Sequence, residues 1–558
     1  MKFAFSLIIF LIVALCCIYA EESPEEYLEL ADKAVLNGNY DDAYNLYDKY
    51  INLVEKPDFI YYSSLMKLNL TTGNYKKVAD LKGDTIETET PQLIEIITLK
   101  AEALMNTGKY SEAAASLESA LEKDKNSICA AALLAKLKLI IGNKNEAIEL
   151  YKQIVINYSS NRLASIEESV AAAVAYTMLD KYEEAKGILG NVIDNFPECY
   201  EAALLRGKLF FDKYDYPYAI KHFEIVLETN PNHPKANLML AKTLVKLQEN
   251  REKNFHNAIN LANKALRHNS NLIEAYNFIA FYKAACGNYS EAKQIIEKSL
   301  SINPNSLETL GLSAGCALLE GLPENYKTAL DKAKTINKKC ASTLLQATLL
   351  LETRNRYKEA INLSLEAIKL DSDYTPAYLT TAMNLMRIGE EKEAKKYFEK
   401  SHDKDAFNVW SYNSLQLLDY MKENFTEKSS EKVIIRAPEN LGILLPYITK
   451  SVEESLNWIK ERYNLVPKES IILELFDKPE FFATRLSGLP VTSNTAVCFG
   501  NVVVQQFGRG WHQTLHNQIV YSSVLLSSRN CVPVWFAEAI SKNSEKSFEP
   551  IWREEWER

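Results

Sequence analysis

One spacing governs what this chain can fold into. A turn or small residue, a polar position that is often Tyr, two more polar positions and an Ala recur as "GNYDDA" (38–43), "GKYSEA" (108–113), "GNKNEA" (142–147), "DKYEEA" (180–185), "GNYSEA" (287–292) and "GEEKEA" (389–394). The intervals Ala113 to Ala147, Ala185 to Ala219 and Ala258 to Ala292 are each 34 residues. A fixed period of that length specifies a stack of helical pairs rather than one compact core. Each period holds two helical patterns flanking a tight turn. The Ala lets the second helix approach the first closely, and Tyr47, Phe223 or Phe398 fills the space between neighbours. Pro in "TNPNH" and "INPNS" stops the second helix, since it lacks the N–H a continuing helix needs.

These residues resemble the tetratricopeptide pattern, over about residues 24 to 405 in about eleven units. The spacing slips near residues 249–255 and at Gly321, where loop insertions are expected. The resemblance implies a solenoid that binds protein or peptide segments along its concave face; a plain spacer is the alternative. A hydrophobic fraction of 47% with 25% charged residues excludes wholesale disorder, and a net charge of −9 leaves no broad basic face for a phosphate backbone, so nucleic acid is not an expected partner.

Residues 1–20, MKFAFSLIIFLIVALCCIYA, carry one Lys, an unbroken apolar stretch and a small residue at the exit, the pattern of a secretory signal peptide. A retained anchor competes with cleavage; no later run is long enough to span a bilayer. A secreted, periplasmic or cell-envelope location is expected. Cys129, Cys199, Cys286, Cys316, Cys340, Cys498 and Cys531 are odd in number, scattered and without a C-x-x-C pair, so they read as small buried residues rather than a disulfide framework.

The solenoid is assigned to residues 21–405, a capping helix and polar linker ("TEKSSEK", 426–432) to 406–432, and a second domain to 433–558. "VIIRA" predicts a strand, about 441–463 a helix, "SIILELF" (470–476) a strand, "KPEFFATRLSG" a helix closed by Gly488, and 495–507 a third extended run containing a Gly. The expected fold class is mainly α: an α-solenoid followed by a smaller α+β domain. His512 and His516, at i and i+4, share one side of a helix, close enough to reach one metal. Pro533 opens a further helix carrying Glu538, 22 residues after His516.

The order of strand, H-x-x-x-H helix and P-x-W-x-x-E helix, with "ELFDKPEFFATRLSGLP", "AVCFGNVVV", "WHQTLH", "VPVWFAEAIS" and "FEPIWREEWE", is similar to the gluzincin-type zinc metallopeptidases, in particular the peptidase MA-like domains found behind tetratricopeptide arrays. The resemblance implies that His512, His516 and Glu538 hold zinc and that Ala496 to Val504 forms a cleft wall. The family motif is H-E-x-x-H, and Gln513 stands at the general-base position. A carboxamide cannot take a proton from zinc-bound water, a loss of about 10²- to 10⁴-fold. The chain ends 20 residues after Glu538, so the domain reads as truncated. The expected function is an exported interaction scaffold with a catalytically impaired zinc-peptidase-like domain, zinc retention being left open. An active zinc peptidase and a metal-free envelope scaffold are the alternatives. His222, His233, His256, His268 and His402 lie in the array and are assigned no chemistry.

Overall fold

The computed structural model describes residues 23–81, 89–160, 164–247 and 250–545. The signal segment and the tail "FEPIWREEWE" lie outside the described residues. Among those described, the helices from α1 (Pro24–Leu36) to α22 (Glu391–Lys404) pair into eleven helix-turn-helix units, as the period requires. Close approach within each unit follows from the small residue: Ala43, Ala113, Ala147, Ala185, Ala219, Ala258, Ala292 and Ala394 are each 0% exposed. Tyr47, Phe223 and Phe398 are buried between helices as expected. The lengthened spacing after residue 247 is taken up by a long second helix, Arg251–His268, in unit 7.

The array winds so tightly that units 6 to 9 sit directly on units 1 to 4. The carboxamide of Asn230, which follows unit 6, donates to the Val35 carbonyl at 3.2 Å, and Asn232 donates to Gly38 at 3.1 Å. The pattern repeats one unit on: Asn269 donates to Thr71 at 2.9 Å and Asn271 to Gly73 at 2.9 Å. Asn303 donates to Met105 at 3.4 Å, Asn305 to Gly108 at 2.9 Å, and Asn337 to Ile140 at 3.2 Å. These acceptors lie in or just beyond the last turns of the units' first helices, where carbonyls have no intrahelical donor. Partners 194 to 198 residues apart, at 34 residues per unit, place between five and six units in each superhelical turn.

The glycine of each turn is therefore fixed twice. Gly38, Gly73, Gly108 and Gly142 have φ of +76, +82, +76 and +91°, and a Cβ on any of them would strike the side-chain oxygen of Asn230, Asn269, Asn303 or Asn337 respectively. Where the underlying turn carries a side chain instead, at Asp180 and Tyr214, the asparagine above is replaced by Asp371 and Asp405. Asp405 pairs with Lys213 at 3.2 Å, and the Lys213 ammonium also lies over the rings of Tyr182 and Phe407, 3.7 and 4.9 Å from their centroids.

Helix α23 (Val409–Asn424) closes the array and leads straight into a five-stranded sheet of β1 (Phe425–Ser429), β2 (Val433–Pro438), β3 (Ile471–Phe476), β4 (Ala496–Cys498) and β5 (Val502–Gln506) in the order β1-β2-β3-β5-β4. The β2-β3 and β3-β5 pairs are parallel, and both edge strands are antiparallel to their neighbours. Between them lie α24 (Leu445–Tyr463), entered through a 3₁₀ turn at Glu439–Leu444, and α25 (Pro479–Ser487); α26 (Trp511–Ser527) and α27 (Val534–Glu545) follow β5. One sheet face (Val433, Ile435, Leu473, Leu475, Val503) packs on α24 and α26 through Ile448, Val452, Leu515 and Ile519. The other (Ile472, Phe476, Val502, Val504) packs on α25 and on Tyr357, Leu385, Met386 and Phe398 of the last two units. Every residue of β3 is buried, which is why it reads as an almost unbroken apolar run.

Several sequence expectations need correction: Cys286 and Cys531 are exposed rather than buried, and residues 251–255 open a helix rather than a loop insertion. The segment read as a polar linker, 426–432, is mostly β1: its side chains are largely exposed, so nothing in their polarity marks a strand, but its backbone pairs with β2. No spacer separates array from sheet. The single extended run expected from Ala496 to Val504 is a hairpin, turned at Gly500 (φ +88°), with β4 antiparallel to β5.

The sheet region occupies the place a further superhelical turn would take on units 10 and 11. Asn530 donates to the Asn355 carbonyl at 3.1 Å and Asn501 to Ile388 at 3.4 Å, repeating the asparagine contact between units. A buried ionic group completes the junction. Arg485 and Glu474, both 0% exposed in their side chains, are bidentate at 2.5 and 3.2 Å, and Arg485 also donates to the Met386 carbonyl at 2.6 Å. Arg436 reaches Glu391 of unit 11, Glu427 at 3.0 Å and Glu474 at 3.6 Å. Burial and the adjacent Glu474 push the Glu391 carboxyl up to about 8, so it shares the pocket as a neutral acid.

Four variants test this arrangement by urea unfolding. Gly108→Ala and Gly321→Ala both force a side chain into left-handed backbone, at a cost of about 1 kcal/mol, but only Gly108 lies under an asparagine while nothing stands within 4 Å of Gly321. The Gly108 variant is expected to lose about 1–3 kcal/mol more. Because the folded pKa of Glu391 is raised, its contribution is complete below the ordinary 4.5 and is lost as pH rises through about 8. Glu391→Gln should flatten that decline, whereas Glu474→Gln should cost about 3–5 kcal/mol at every pH by stranding Arg485.

Candidate functional site

Helix α26 presents His512 and His516 one turn apart, and Pro533 opens α27 as the sequence suggests. His516 is fully buried against α24. Its Nδ1 lies 2.9 Å from Ser455 Oγ, and that hydroxyl already donates to the Ser451 carbonyl at 2.7 Å. The hydroxyl therefore accepts from the ring, which fixes the proton on Nδ1 and leaves Nε2 as the lone-pair nitrogen. Trp458 meets the ring edge-on, 5.2 Å between centroids. Burial lowers the His516 pKa to about 4, so the ring is neutral at physiological pH, as a metal ligand must be.

The other members do not converge on it. His512 is half-buried, its ring edge-on to Trp511, and Gln513 is exposed. The rotation of α27 is set by Ala537, 0% exposed in the core beneath, and by Ser541, whose hydroxyl donates to the Asn517 carbonyl at 3.1 Å. That rotation leaves Glu538 exposed, its charge bearing on Tyr521. Among the described residues no group of three or more His, Cys, Asp or Glu side chains is arranged to hold a metal ion. The tautomer of His516 fits a zinc ligand; the set of three donors, as placed here, does not. Of the histidines in the array, His222 stacks on Phe210 at 5.5 Å, and His233 caps the helix Pro234–Leu244 by accepting from the Ala236 N–H.

A second candidate site was not visible in the sequence. First helices of units 2 to 7 turn charged side chains toward the superhelix axis. Lys67 of unit 2 pairs with Glu95 of unit 3 at 2.9 Å and approaches Glu167 of unit 5 at 3.7 Å; Lys235 of unit 7 approaches Glu102 of unit 3 at 3.9 Å. Pairs that skip units in this way cross the axis, so the interior is a narrow lumen rather than an open groove. Its side chains remain between 33% and 59% exposed, so solvent can reach them. Glu102, with Glu201 and Glu274, holds the Lys235 ammonium charged against the cost of enclosure, while enclosure raises the Glu201 carboxyl. The readable signal was a charge at corresponding positions of successive first helices; only the winding shows that they meet.

Tetratricopeptide repeat profiles match residues 97–166, 170–234 and 273–306. No curated protein matches this chain. Among solved structures, yeast Tom70 is 18% identical, with 72% of this chain and 88% of that one covered and a TM-score of 0.35. Human IFIT1, in a dimer with PPP-AAAA, is 16% identical over 69% of this chain and 91% of its own, TM-score 0.35. A tetratricopeptide repeat protein from Parabacteroides merdae is 20% identical over 46% of this chain and 98% of its own, TM-score 0.31. Among the described residues no helix is long and apolar enough to cross a membrane.

Replacing Ser455 by Ala removes the acceptor of a buried imidazole N–H, and a loss of about 1–3 kcal/mol in urea unfolding is expected. With its pKa depressed, His516 contributes stability above about 6.5 that is lost as pH falls through about 4, which an NMR titration of the ring will show. From the profile matches and the repeated helix geometry, the array is a solenoid of tetratricopeptide repeats.

Proposed function

We propose that this protein is an exported interaction scaffold: the tetratricopeptide solenoid binds protein or peptide segments, and the C-terminal domain is a degenerate relative of the gluzincin fold that no longer cleaves them. The observation that carries the loss of catalysis is Gln513, exposed in the first turn of α26 where a hydrolase of this type needs a carboxylate to accept the water proton. The outward placement of Glu538 supports the same reading, since it removes the third donor as well as the base. What remains is architecture. The sheet covers the apolar end of the array and is tied to units 10 and 11 by its apolar face on Tyr357, Leu385 and Met386, by Arg485 donating to the Met386 carbonyl and by Arg436 on Glu391. A terminal cap of this kind lets a long solenoid present its other surfaces without aggregating.

The test is chemical. Purified full-length protein, assayed on unstructured peptides with added zinc and analysed for bound metal, should show neither turnover nor stoichiometric zinc. Gln513→Glu should remain silent, because the donors do not converge. Turnover lost in His512→Ala, or one zinc per chain lost in His516→Ala, would overturn the proposal.

A further inference from the structure

We propose that the asparagine ladder between superhelical turns is a clasp that closes the side of the solenoid, so that a partner reaches the lumen from the side only when the turns part. Three observations converge on this. Asparagine stands at the end of units 6, 7, 8 and 9, the four units that sit on a turn containing glycine, and Asp stands there in units 10 and 11, which do not. The match is chemical: a carboxamide donates to the waiting carbonyl, and a carboxylate in its place would repel it. The asparagines are nearly sealed from water, 2% exposed at 230, 269 and 303 and 8% at 337, so the seam is closed along its length. Finally, the charges crossing the axis lie behind that seam, in a lumen no wider than two facing side chains at Lys67–Glu167.

The seam bonds are also separable from the folding of each unit. In Asn269, Asn303 and Asn337 the Oδ1 atom accepts from the backbone N–H two residues on, at 3.0, 2.9 and 2.7 Å, while Nδ2 alone crosses to the neighbouring turn. Asn→Asp therefore keeps the local turn and removes the Nδ2 bond to the neighbouring turn, with a carboxylate oxygen facing the opposite carbonyl.

Cys129 reports on the lumen. It lies on the first helix of unit 4, half-buried, with Glu95, Glu167, Glu168 and Glu201 as its charged neighbours, whereas Cys286 is exposed. Full-length protein and the variant Asn303→Asp/Asn337→Asp, whose changes flank unit 4, would be reacted with iodoacetamide and, separately, with a polyethylene-glycol maleimide. Modification at each cysteine is then followed by peptide-resolved mass spectrometry. Dividing the bulky by the small reagent's rate cancels the thiol's intrinsic reactivity. In the wild type this ratio at Cys129 should fall at least about tenfold below that at Cys286, and the variant should raise it about tenfold while leaving Cys286 unchanged, as expected for two lost bonds. Circular dichroism confirms native helix content, and Asn337→Asp alone serves if the pair folds poorly. An unchanged ratio in a folded variant, or a wild-type ratio at Cys129 equal to that at Cys286, refutes the clasp. The readout requires no partner and no statement about catalysis, so its failure is distinct from failure of the scaffold reading.

Discussion

The organising constraint of this molecule is the need of a helix end for a donor. A helix leaves its last carbonyls unbonded, and an array of helix pairs repeats that deficit at every unit. Here an added donor comes from one superhelical turn above, a side-chain amide that units 6 to 9 supply at the same place, beside the turn N–H that Val35 and Met105 already accept and alone at Thr71 and Ile140. The glycines, the tight winding and the narrow interior all follow. A Cβ on any of these four glycines would strike the asparagine above, and where the turn does carry a side chain, at Asp180 and Tyr214, the unit above ends in Asp371 or Asp405 instead. Each bond is worth about 1 kcal/mol, so the ladder acts by repetition rather than by any single strong contact.

What could be read from the chain beforehand was whatever has a local period. The alternation of small residue, aromatic and turn fixed the number of units, because packing inside a unit depends on residues a few positions apart. The asparagines carried a different message from the one first read in "TNPNH" and "INPNS". Proline does end the helix there, but Asn230, Asn232, Asn303 and Asn305 on either side of it reach partners nearly 200 residues earlier, and no short window contains both ends of such a bond. The lumen pairs and the Glu391–Arg436–Glu474–Arg485 group escaped for the same reason. Strand β1 escaped for another: an edge strand with most of its side chains in water is held by its backbone alone.

The candidate metal site divides along the same line. The spacing of His512 and His516 is a property of one helix and was readable. The direction of Glu538 depends on how α27 rolls on α26, which Ala537 and Ser541 decide by packing against the helix beneath. His516, meanwhile, is held by Ser455 from α24, whose hydroxyl accepts from the ring and so fixes its proton on Nδ1.

The pairing of each unit with the one five before it also limits how such a protein can change in length. Ordinary repeat arrays gain or shed modules by duplication and deletion because each module answers only to its immediate neighbours. In this chain the loss of the fifth module would shift the ladder by one rung: Asn269, Asn303 and Asn337 would come over Gly38, Gly73 and Gly108, Asn230 would lose its place, and Asp371 would stand over Gly142, so a change in module number is registered at the seam as well as between neighbours.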